Sequence, residues 1–342
     1  MLPRGGASGY PGAAMPENPF NIRYALKAAE ALGCTAEIVD PFSHYLVRIS
    51  RGGRSVLVGA GTVHGFPINS ATSATLVGDK THSYELLGRA GLRVPRSQLV
   101  FLSERFADYR PPGREVADAR AFAQAIGYPV FVKPNAGSRG NLAQSVRDEA
   151  GLAAHFAAIE RHYDSAVVQE VLRGVEKRLF AIDGVPQFGY TKTRPVLTGD
   201  GRRSIGALLD ELDRSQVRTG LSAVNRADPV LEASLEAGGL DLESVLPDGA
   251  ALAFSETANV SGGGGVTDFH TTFDDGEVAL CRLVHQVTGL RVCAIDTIDG
   301  EDAAPVILEL NANPALTSLE KLGETGLLVR IWTDILRKAL GD

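Results

Sequence analysis

The feature that most constrains this chain is a pair of short apolar runs that carry acidic and amide side chains. Residues 306–308 read Val-Ile-Leu and are followed by Glu309 and Asn311, and a second run, residues 291–298, carries Asp296 in its apolar middle. Both runs predict buried β-strands, and alternate residues of a strand share one face. A carboxylate inside an apolar strand is costly unless it is paired or binds a metal. Together the strands predict an all-oxygen site of Asp296, Glu309 and Asn311, which suits Mg²⁺ shared with the phosphates of a substrate.

The composition excludes several classes of protein. A length of 342 residues allows two or three domains, and a net charge of -7 provides no basic surface for nucleic acid. No apolar run approaches ~18 residues, so we expect no membrane span. Residues 1–19 are rich in Gly, Ala and Pro without an apolar segment, which predicts a flexible arm rather than a secretory signal. The cysteines Cys34, Cys281 and Cys293 lack metal-binding spacing and fit reduced thiols of a cytoplasmic protein.

Two lysines lie where regular structure is predicted to begin or end. Lys80 begins a predicted helix, and Lys133 ends the apolar run 130–132. On local pattern alone, Lys133 is typical of a lysine that extends its apolar stem to reach solvent. The polar loop that follows favours an anion site instead, because its backbone N–H groups and a guanidinium can surround a phosphate. The candidate residues of this loop are Gly137, Ser138, Arg139 and Gly140.

Two common nucleotide-binding motifs are absent from the sequence. The segment Gly-Asp-Lys-Thr at residues 78–81 ends like a phosphate-binding P-loop, but Asp79 stands where glycine is required. No G-x-G-x-x-G motif follows a predicted strand either, which excludes a dinucleotide fold of that kind. The alternative to a metal site is a solvated strand end with one hydrogen-bonded aspartate, and the two lysines favour the metal site.

Several short motifs follow one another in a specific order. They are Phe-Val-Lys-Pro at 131–134, the segment 169–178, Thr-Gly-Asp-Gly at 198–201, Thr-Ala-Asn-Val-Ser-Gly-Gly at 257–263, Ala-Ile-Asp at 294–296 and Leu-Glu-Leu-Asn at 308–311. Each motif is weak alone, but their order and spacing resemble the ATP-grasp carboxylate–amine ligases. The likeness is strongest to the ATP-grasp module of cyanophycin synthetase and of the fused bacterial glutathione synthetase, and it covers residues 73–342.

This resemblance implies an α+β protein with the ATP-grasp fold, in which two α+β subdomains clamp ATP after a small α/β N-terminal domain. The intermixed helices, strands and hairpins also favour α+β. The implied divisions are a flexible arm at 1–19, the small domain at 20–73, the first ATP-grasp region with its lid loop at 74–165, and the second region with the metal site at 166–342.

The resemblance also implies ATP and two Mg²⁺ ions as cofactors, with Mn²⁺ as a substitute. Asp296, Glu309 and Asn311 would hold the metal ions. ATP would be held through its phosphates, its adenine and its ribose by Lys80, Lys133, Gly137, Ser138, Gly140, Glu170, Val171, Leu172 and Glu176. The remaining candidates would act during phosphate transfer, by neutralising the developing charge or by lying beside the γ-phosphate and the acyl group. They are Arg139, Arg178, Arg194 and Asn259.

The implied reaction forms an amide bond between the carboxylate of an amino acid or short peptide and an amine, through an acylphosphate, with release of ADP and phosphate. The expected partners are small molecules, not nucleic acid or membrane. Ser255 and Glu256 stand where the relatives carry two arginines, and Leu142 stands where their lid has a glycine. The resemblance therefore does not determine the identity of the substrate. The small N-terminal unit predicts that part of the acceptor-side wall is absent or is supplied by a second subunit of a homodimer.

Two other functions remain open from the sequence. The first alternative is a non-catalytic ATP-binding module, either regulatory or a subunit of a larger synthetase, which the lost arginine pair favours. The complete metal-binding set argues against it, because a module that no longer catalyses can lose such ligands. The second alternative is a carboxylating or other acylphosphate-forming enzyme, and the sequence has no biotin-related segment to support it.

Overall fold

Helices and antiparallel strands alternate irregularly along the chain, and this confirms the α+β prediction. The computed structural model describes residues 18–61, 64–105, 107–137, 140–218, 224–255, 258, 264–300 and 304–341. The helices are α1 (Phe20–Ala31), α2 (Ala71–Gly78), α3 (Lys80–Arg89), α4 (Val116–Ile126), α5 (Glu149–Glu160), α6 (Ile205–Arg218), α7 (Pro229–Gly238), α8 (Asp275–Thr288), α9 (Thr317–Lys321) and α10 (Thr325–Leu340). None of these described helices is long and apolar enough to cross a membrane.

The strands of the described residues form four sheets. They are β1 (Thr35–Ile38), β2 (Leu46–Arg51), β3 (Arg54–Gly59), β4 (Ser97–Phe101), β5 (Val130–Pro134), β6 (Gln144–Val146), β7 (Ser165–Glu170), β8 (Val175–Ile182), β9 (Val185–Lys192), β10 (Val196–Thr198), β11 (Ala251–Ala253), β12 (Val266–His270), β13 (Val292–Asp299) and β14 (Val306–Asn311). The sheet orders are β1-β2-β3, β4-β7-β5-β6, β12-β9-β8-β13-β14 and β10-β11.

The chain divides into two compact units. One comprises the described residues up to Ile68 together with those from Ala315 onward, and the other runs from Asn69 to Pro314. The sequence analysis placed the first boundary near residue 73 and assigned the last helices to the second ATP-grasp region. In the structure these helices belong to the unit of the N-terminal sheet.

The first unit packs α1 and α10 together beside the sheet β1-β2-β3. Helix α10 buries Leu328, Ile331, Trp332 and Ile335, which follow the spacing of one helical face. The Trp332 ring stacks on Phe66 with centroids 5.2 Å apart. Trp332 is therefore a core residue of this unit.

In the second unit, the sheet β4-β7-β5-β6 carries helices α4 and α5 against a shared apolar core. That core includes Val130 and Val132 of β5, and Val132 is fully buried. Lys133 follows directly in the same strand. Alternation along β5 therefore directs Val132 to the helices and Lys133 to the opposite face of this sheet.

The five-stranded sheet β12-β9-β8-β13-β14 is antiparallel throughout, and one of its faces is apolar. On that face Leu179, Ile295 and Ile307 pack against residues of α3 and α8. The residues that alternate with them point to the opposite face, where Arg178 is paired in register with Asp296. The polar side chains predicted to form a site are therefore carried by the face that the apolar core leaves free.

A β-bulge in β14 decides which residues reach that polar face. Asp296 pairs with Glu309, whereas the next residue, Thr297, pairs with Ile307, so Leu308 is an extra residue in β14. Without the extra residue, Glu309 would share a face with Ile307, which is fully buried in the apolar core. The bulge lets Ile307 stay in the core while Glu309 and Asn311 face the same side as Asp296.

A small satellite core lies in the segment between β9 and β12. Leu209, Leu231 and Phe254 belong to this core, together with residues of α6, β10 and β11. The segment contacts β6 and the residues directly after it through two polar pairs. The amide of Asn225 donates to Oε1 of Gln144 at 2.9 Å, and Arg147 forms an ion pair with Glu232.

The side chain of Asn69 fixes the two strands that carry the acidic residues. Its Nδ2 donates to the carbonyls of Val292 at 2.8 Å and Ala312 at 3.0 Å. Its Oδ1 accepts from the backbone N–H groups of Arg291 at 2.9 Å and Val292 at 2.8 Å. One amide therefore satisfies four backbone groups at neighbouring ends of β13 and β14.

We expect Asn69→Ala to lower the free energy of unfolding by about 2–4 kcal/mol, since each lost hydrogen bond to a backbone group contributes roughly 1 kcal/mol. Urea titration followed by circular dichroism measures this change. A matched control is Gln187→Ala. The amide of Gln187 donates one hydrogen bond, to the carbonyl of Val185 in the same strand, β9. The control should shift stability by no more than about 0.5 kcal/mol. Equal shifts in the two variants would contradict the assigned role of Asn69.

Candidate active site

Asp296 is the centre of a buried charge cluster. Its two carboxylate oxygens accept from Nε and Nη2 of Arg178, each at 2.6 Å, and Oδ2 lies 3.1 Å from Nζ of Lys192. Asp296 is only 4% exposed. Burial alone would raise the pKa of this carboxyl, but Arg178 and Lys192 hold the pKa well below its usual range. Asp296 is thus ionised, which is the form in which a carboxylate can bind a metal.

The other two predicted metal ligands lie beside Asp296. Asn311 donates from Nδ2 to Oδ2 of Asp296 at 3.4 Å, and Glu309 is the direct cross-strand partner of Asp296. Oε1 of Glu309 lies 3.2 Å from Nζ of Lys80. The structure therefore brings Asp296, Glu309 and Asn311 together on one face, although their role as metal ligands stays a prediction.

The donor set of this cluster fits Mg²⁺. No group of three or more His, Cys, Asp or Glu side chains suited to a metal is present in the described part of the chain. The cluster offers two carboxylates and one amide, and Mg²⁺ commonly binds one or two carboxylates together with substrate phosphates rather than an all-protein cage. Asp296 and Glu309 are each paired with cations in this structure. These cations must move away before the carboxylate oxygens can bind a metal ion.

Lys80 is the first residue of α3 and is only 5% exposed. Besides its ion pair with Glu309, its Nζ donates to the carbonyl of Gly137 at 2.6 Å. Asp79 caps α3 by accepting from the N–H of His82 at 2.9 Å. The start of α3 thus places the Lys80 ammonium between the polar face of the five-stranded sheet and the beginning of the predicted lid loop.

Asn135 anchors the beginning of that loop. Its Oδ1 accepts from the N–H of Thr81 at 3.1 Å, and its Nδ2 donates to Oδ2 of Asp79 at 2.7 Å. Asn135 is only 3% exposed. The first residue of the loop is therefore fixed to α3.

Lys133 is buried, so the reading of it as a solvent-reaching lysine is wrong. It is 8% exposed, and its Nζ donates to the hydroxyl of Tyr84 at 3.0 Å and to the carbonyl of Leu308 at 3.5 Å. Burial lowers the pKa of the Lys133 ammonium to about 8, against the opposing attraction of Glu309 and Glu176. Lys133 is therefore a poorly solvated cation close to the bulge of β14.

Glu176 lies at the edge of the same cluster. Its Oε2 is 3.6 Å from Nζ of Lys192, which also contacts Asp296. Burial raises the pKa of the Glu176 carboxyl, while Lys192 opposes the rise. The predicted contact of Glu176 with a ribose is compatible with its position on the polar face of β8, and it stays a prediction.

The predicted adenine hinge follows β7. Glu170 is the last residue of that strand, where its Oε1 accepts from the N–H of Arg96 at 2.8 Å and its own N–H donates to the carbonyl of Arg96 at 3.0 Å. Val171 and Leu172 come next, half-buried in the link between β7 and β8. The backbone N–H of Glu170 is thus already engaged, so backbone contacts with adenine would be made by its carbonyl or by Val171 and Leu172.

The remaining candidates are placed less closely or lie outside the described residues. Arg194 is exposed in the link between β9 and β10, whereas the ion pairs of Asp296 are made by Arg178 and Lys192. Gly140 is exposed with φ 69°. The candidates outside the described part of the chain are Ser138, Arg139 and Asn259, and Glu256 of the altered arginine pair lies there too.

Two residues of the cluster were missed by the sequence analysis. Lys192 follows Phe188 and Tyr190 at the two-residue spacing of one strand face, which places its ammonium beside Asp296. Tyr84 follows Lys80 by four residues, a spacing that puts both side chains on one face of α3. These spacings were visible in the sequence, but neither residue belongs to a recognisable motif.

The cluster as a whole is suited to a polyanion. Its cations are Lys80, Lys133, Arg178 and Lys192, and its carboxylates are Glu176, Asp296 and Glu309. The cations outnumber the carboxylates, and most of the side chains are shielded from water. Electrostatic attraction of a phosphate chain is much stronger in such a setting than on an exposed surface.

No protein-family model matches the chain. Curated relatives are nevertheless found by sequence. The chain is 28% identical over 249 residues to a cyanophycin synthetase of Synechocystis sp., which covers 69% of this chain and 27% of that protein. It is 26% identical over 228 residues to the glutathione biosynthesis bifunctional protein GshAB of Streptococcus agalactiae, which covers 60% of this chain and 30% of that protein. The chain thus spans less than a third of the length of these relatives.

A solved structure supports the same fold. The bifunctional glutathione synthetase from Pasteurella multocida matches with a TM-score of 0.52 and 18% identity, over 94% of this chain and 45% of that one. At this identity the match concerns the fold alone. The sequence relatives and the structural neighbour agree with the resemblance to ATP-grasp carboxylate–amine ligases drawn from the ordered motifs, and the chain shares the fold of that neighbour.

Proposed function

We propose that this protein uses ATP to join the carboxylate of an amino acid or short peptide to an amine, with release of ADP and phosphate. The observation that carries the proposal is the polar face of the five-stranded sheet. There Asp296, Glu309 and Asn311 lie together while the ammonium groups of Lys80 and Lys192 contact the two carboxylates. A site with hard oxygen donors among buried cations can hold a magnesium–nucleotide complex.

The side chains divide the work by position. Lys80 of α3 and Lys133 of β5 would hold the α- and β-phosphates. Glu176 would hold the ribose, and the link at Val171 and Leu172 would hold the adenine. Asp296, Glu309 and Asn311 would bind Mg²⁺, which when bound neutralises phosphate charge and polarises phosphoryl oxygens. Arg178 and Lys192, which pair with Asp296, would turn from it to neutralise the transferred phosphoryl group.

The reaction would proceed in two steps. A substrate carboxylate oxygen attacks the γ-phosphorus and ADP leaves, which produces an acylphosphate. The amine then attacks the acyl carbon and phosphate leaves. The first step brings two anions together, so buried cations such as Lys133 and Arg178 lower its barrier by neutralising developing charge. The glycine-containing loop after Pro134 would exclude water from the acylphosphate.

The relatives guide the choice of substrates. One is named a cyanophycin synthetase and the other a glutathione biosynthesis protein, so we infer an acid and an amine of amino-acid or peptide type. Ser255 stands where the resembled ligases carry an arginine. Because the positive charge is missing there, we expect the substrate group at that position to carry less negative charge. A peptide or γ-glutamyl-type amide is the proposed product.

A panel of amino acids and short peptides, supplied in pairs with Mg²⁺ and ATP, tests the proposed function. We expect one pair to produce ADP, phosphate and a product whose mass equals acid plus amine minus water. Formation of AMP and diphosphate would show adenylate chemistry instead. Tight binding of ATP with no turnover on any pair would favour the non-catalytic module.

The first prediction concerns the metal. Glu309→Gln keeps the size of the side chain but removes a negative ligand, so we expect amide formation to fall by orders of magnitude and the Mg²⁺ concentration for half-maximal activity to rise. Exposed Glu243 provides a control, because Glu243→Gln should leave both quantities unchanged. A slower enzyme with an unaltered Mg²⁺ requirement would mean that Glu309 serves only to pair with Lys80.

The second prediction concerns pH. The pKa of Lys133 is lowered to about 8 by burial, so its ammonium is present below that pH and is lost as the pH rises through it. Calorimetry should therefore find that the Kd of Mg·ATP increases at least roughly tenfold between about pH 7.5 and 9.5. Lys133→Met cannot titrate and should bind weakly at every pH in this range. An equally steep pH dependence in Lys133→Met would assign the titration to another group.

A further inference from the structure

Tyr84 connects the three elements that surround the phosphate-binding lysines. It belongs to α3, is only 5% exposed, and lies one helical turn after Lys80. Its hydroxyl contacts Lys133 of β5 on one side and the carbonyl of Leu308 in β14 on the other, at 3.0 and 2.7 Å. The ring itself lies 5.6 Å from Nζ of Lys133. No motif of the sequence analysis includes this tyrosine.

The direction of these hydrogen bonds follows from their chemistry. The Leu308 carbonyl can only accept, so the phenolic proton of Tyr84 points to it, and the phenolic oxygen accepts from the Lys133 ammonium. Burial raises the pKa of the Tyr84 hydroxyl above its ordinary value, which keeps that proton in place. The chain from ammonium to hydroxyl to carbonyl is therefore oriented, and bonds linked in this way strengthen one another.

The carbonyl that accepts this chain is provided by the β-bulge. Leu308 is the extra residue of β14, opposite which no single residue of β13 is paired. A bulged residue leaves the regular ladder, so its carbonyl is available to a side chain. The bulge therefore positions Glu309 and also supplies the anchor for Tyr84.

Lys133 needs such an anchor because carboxylates attract it from several directions. Glu309, Glu176 and Asp296 all favour the charged form of this ammonium, whose four-carbon stem is flexible. If the ammonium turned to one of them, it would neutralise a group intended for the metal or ribose. The Tyr84 oxygen offers a neutral acceptor and holds the cation apart from these carboxylates.

We propose that Tyr84 is a positioning residue, whose hydroxyl fixes the ammonium of Lys133 at the bulge of β14 in the place where it binds a nucleotide phosphate. This inference rests on the proposed function, since it concerns the same ATP site. Tyr84 itself need not contact the nucleotide. Its effect on ATP should therefore pass entirely through Lys133.

Tyr84→Phe removes the hydroxyl and keeps the buried ring. A hydrogen bond to a charged group is lost, so we expect the Kd of Mg·ATP, measured by calorimetry below pH about 8, to increase about tenfold or more. The control is Tyr128→Phe, because the buried Tyr128 hydroxyl has no hydrogen-bond partner among the described residues. The control should bind as the wild type does, and thermal unfolding should show that both variants are folded.

A double-mutant cycle with Lys133→Met separates positioning from general structural damage. In the Lys133→Met background, Tyr84→Phe should change the Kd by less than about twofold, since the cation it positions is gone. The inference is overturned if Tyr84→Phe binds Mg·ATP as the wild type does, or if it weakens binding equally in both backgrounds. If the wild type itself does not bind Mg·ATP, the proposed function fails and the inference fails with it.

Discussion

The structure of the site depends on one extra residue in a strand. Leu308 interrupts the pairing of β14 with β13, so that Ile307 packs in the apolar core while Glu309 faces Asp296. The same bulge frees the carbonyl that Tyr84 binds. An uninterrupted strand would turn Glu309 toward the core and bury a carboxylate beside apolar side chains, which is strongly unfavourable. The acidic cluster and the position of Lys133 are thus consequences of one local irregularity.

Much of the fold could be predicted because local patterns carry the information. Apolar runs predicted β13 and β14. The turn between β8 and β9 also has a local cause, because Asp-Gly at residues 183–184 accommodates the positive φ found at both residues. Helix α2 was not predicted, and the last helices, which the sequence analysis grouped with the second ATP-grasp region, form a compact unit with the N-terminal sheet. Packing of α10 with α1 joins opposite ends of the chain, and no local pattern records such a contact.

The candidate site was predictable to the extent that its residues lie in motifs. Asp296 was identified from the middle of one apolar run and Glu309 and Asn311 from the end of another, and the structure brings them together. Lys192 and Asn69 were missed because their importance arises only after strands pair. The amide of Asn69 bonds groups more than two hundred residues away in the chain. Ion pairs and hydrogen bonds of that kind depend on register, which the sequence alone does not specify.

Isotope transfer tests the central claim, ligation through an acylphosphate, most directly. An acid that supports ATP consumption would be labelled with ¹⁸O in its carboxylate, and the released phosphate would be analysed by mass spectrometry. The account predicts that each phosphate carries one ¹⁸O atom, because the carboxylate oxygen that attacks the γ-phosphorus leaves with the phosphate when the amine displaces it. Unlabelled phosphate formed together with amide would contradict the account, and label in AMP would assign the chain to adenylate chemistry.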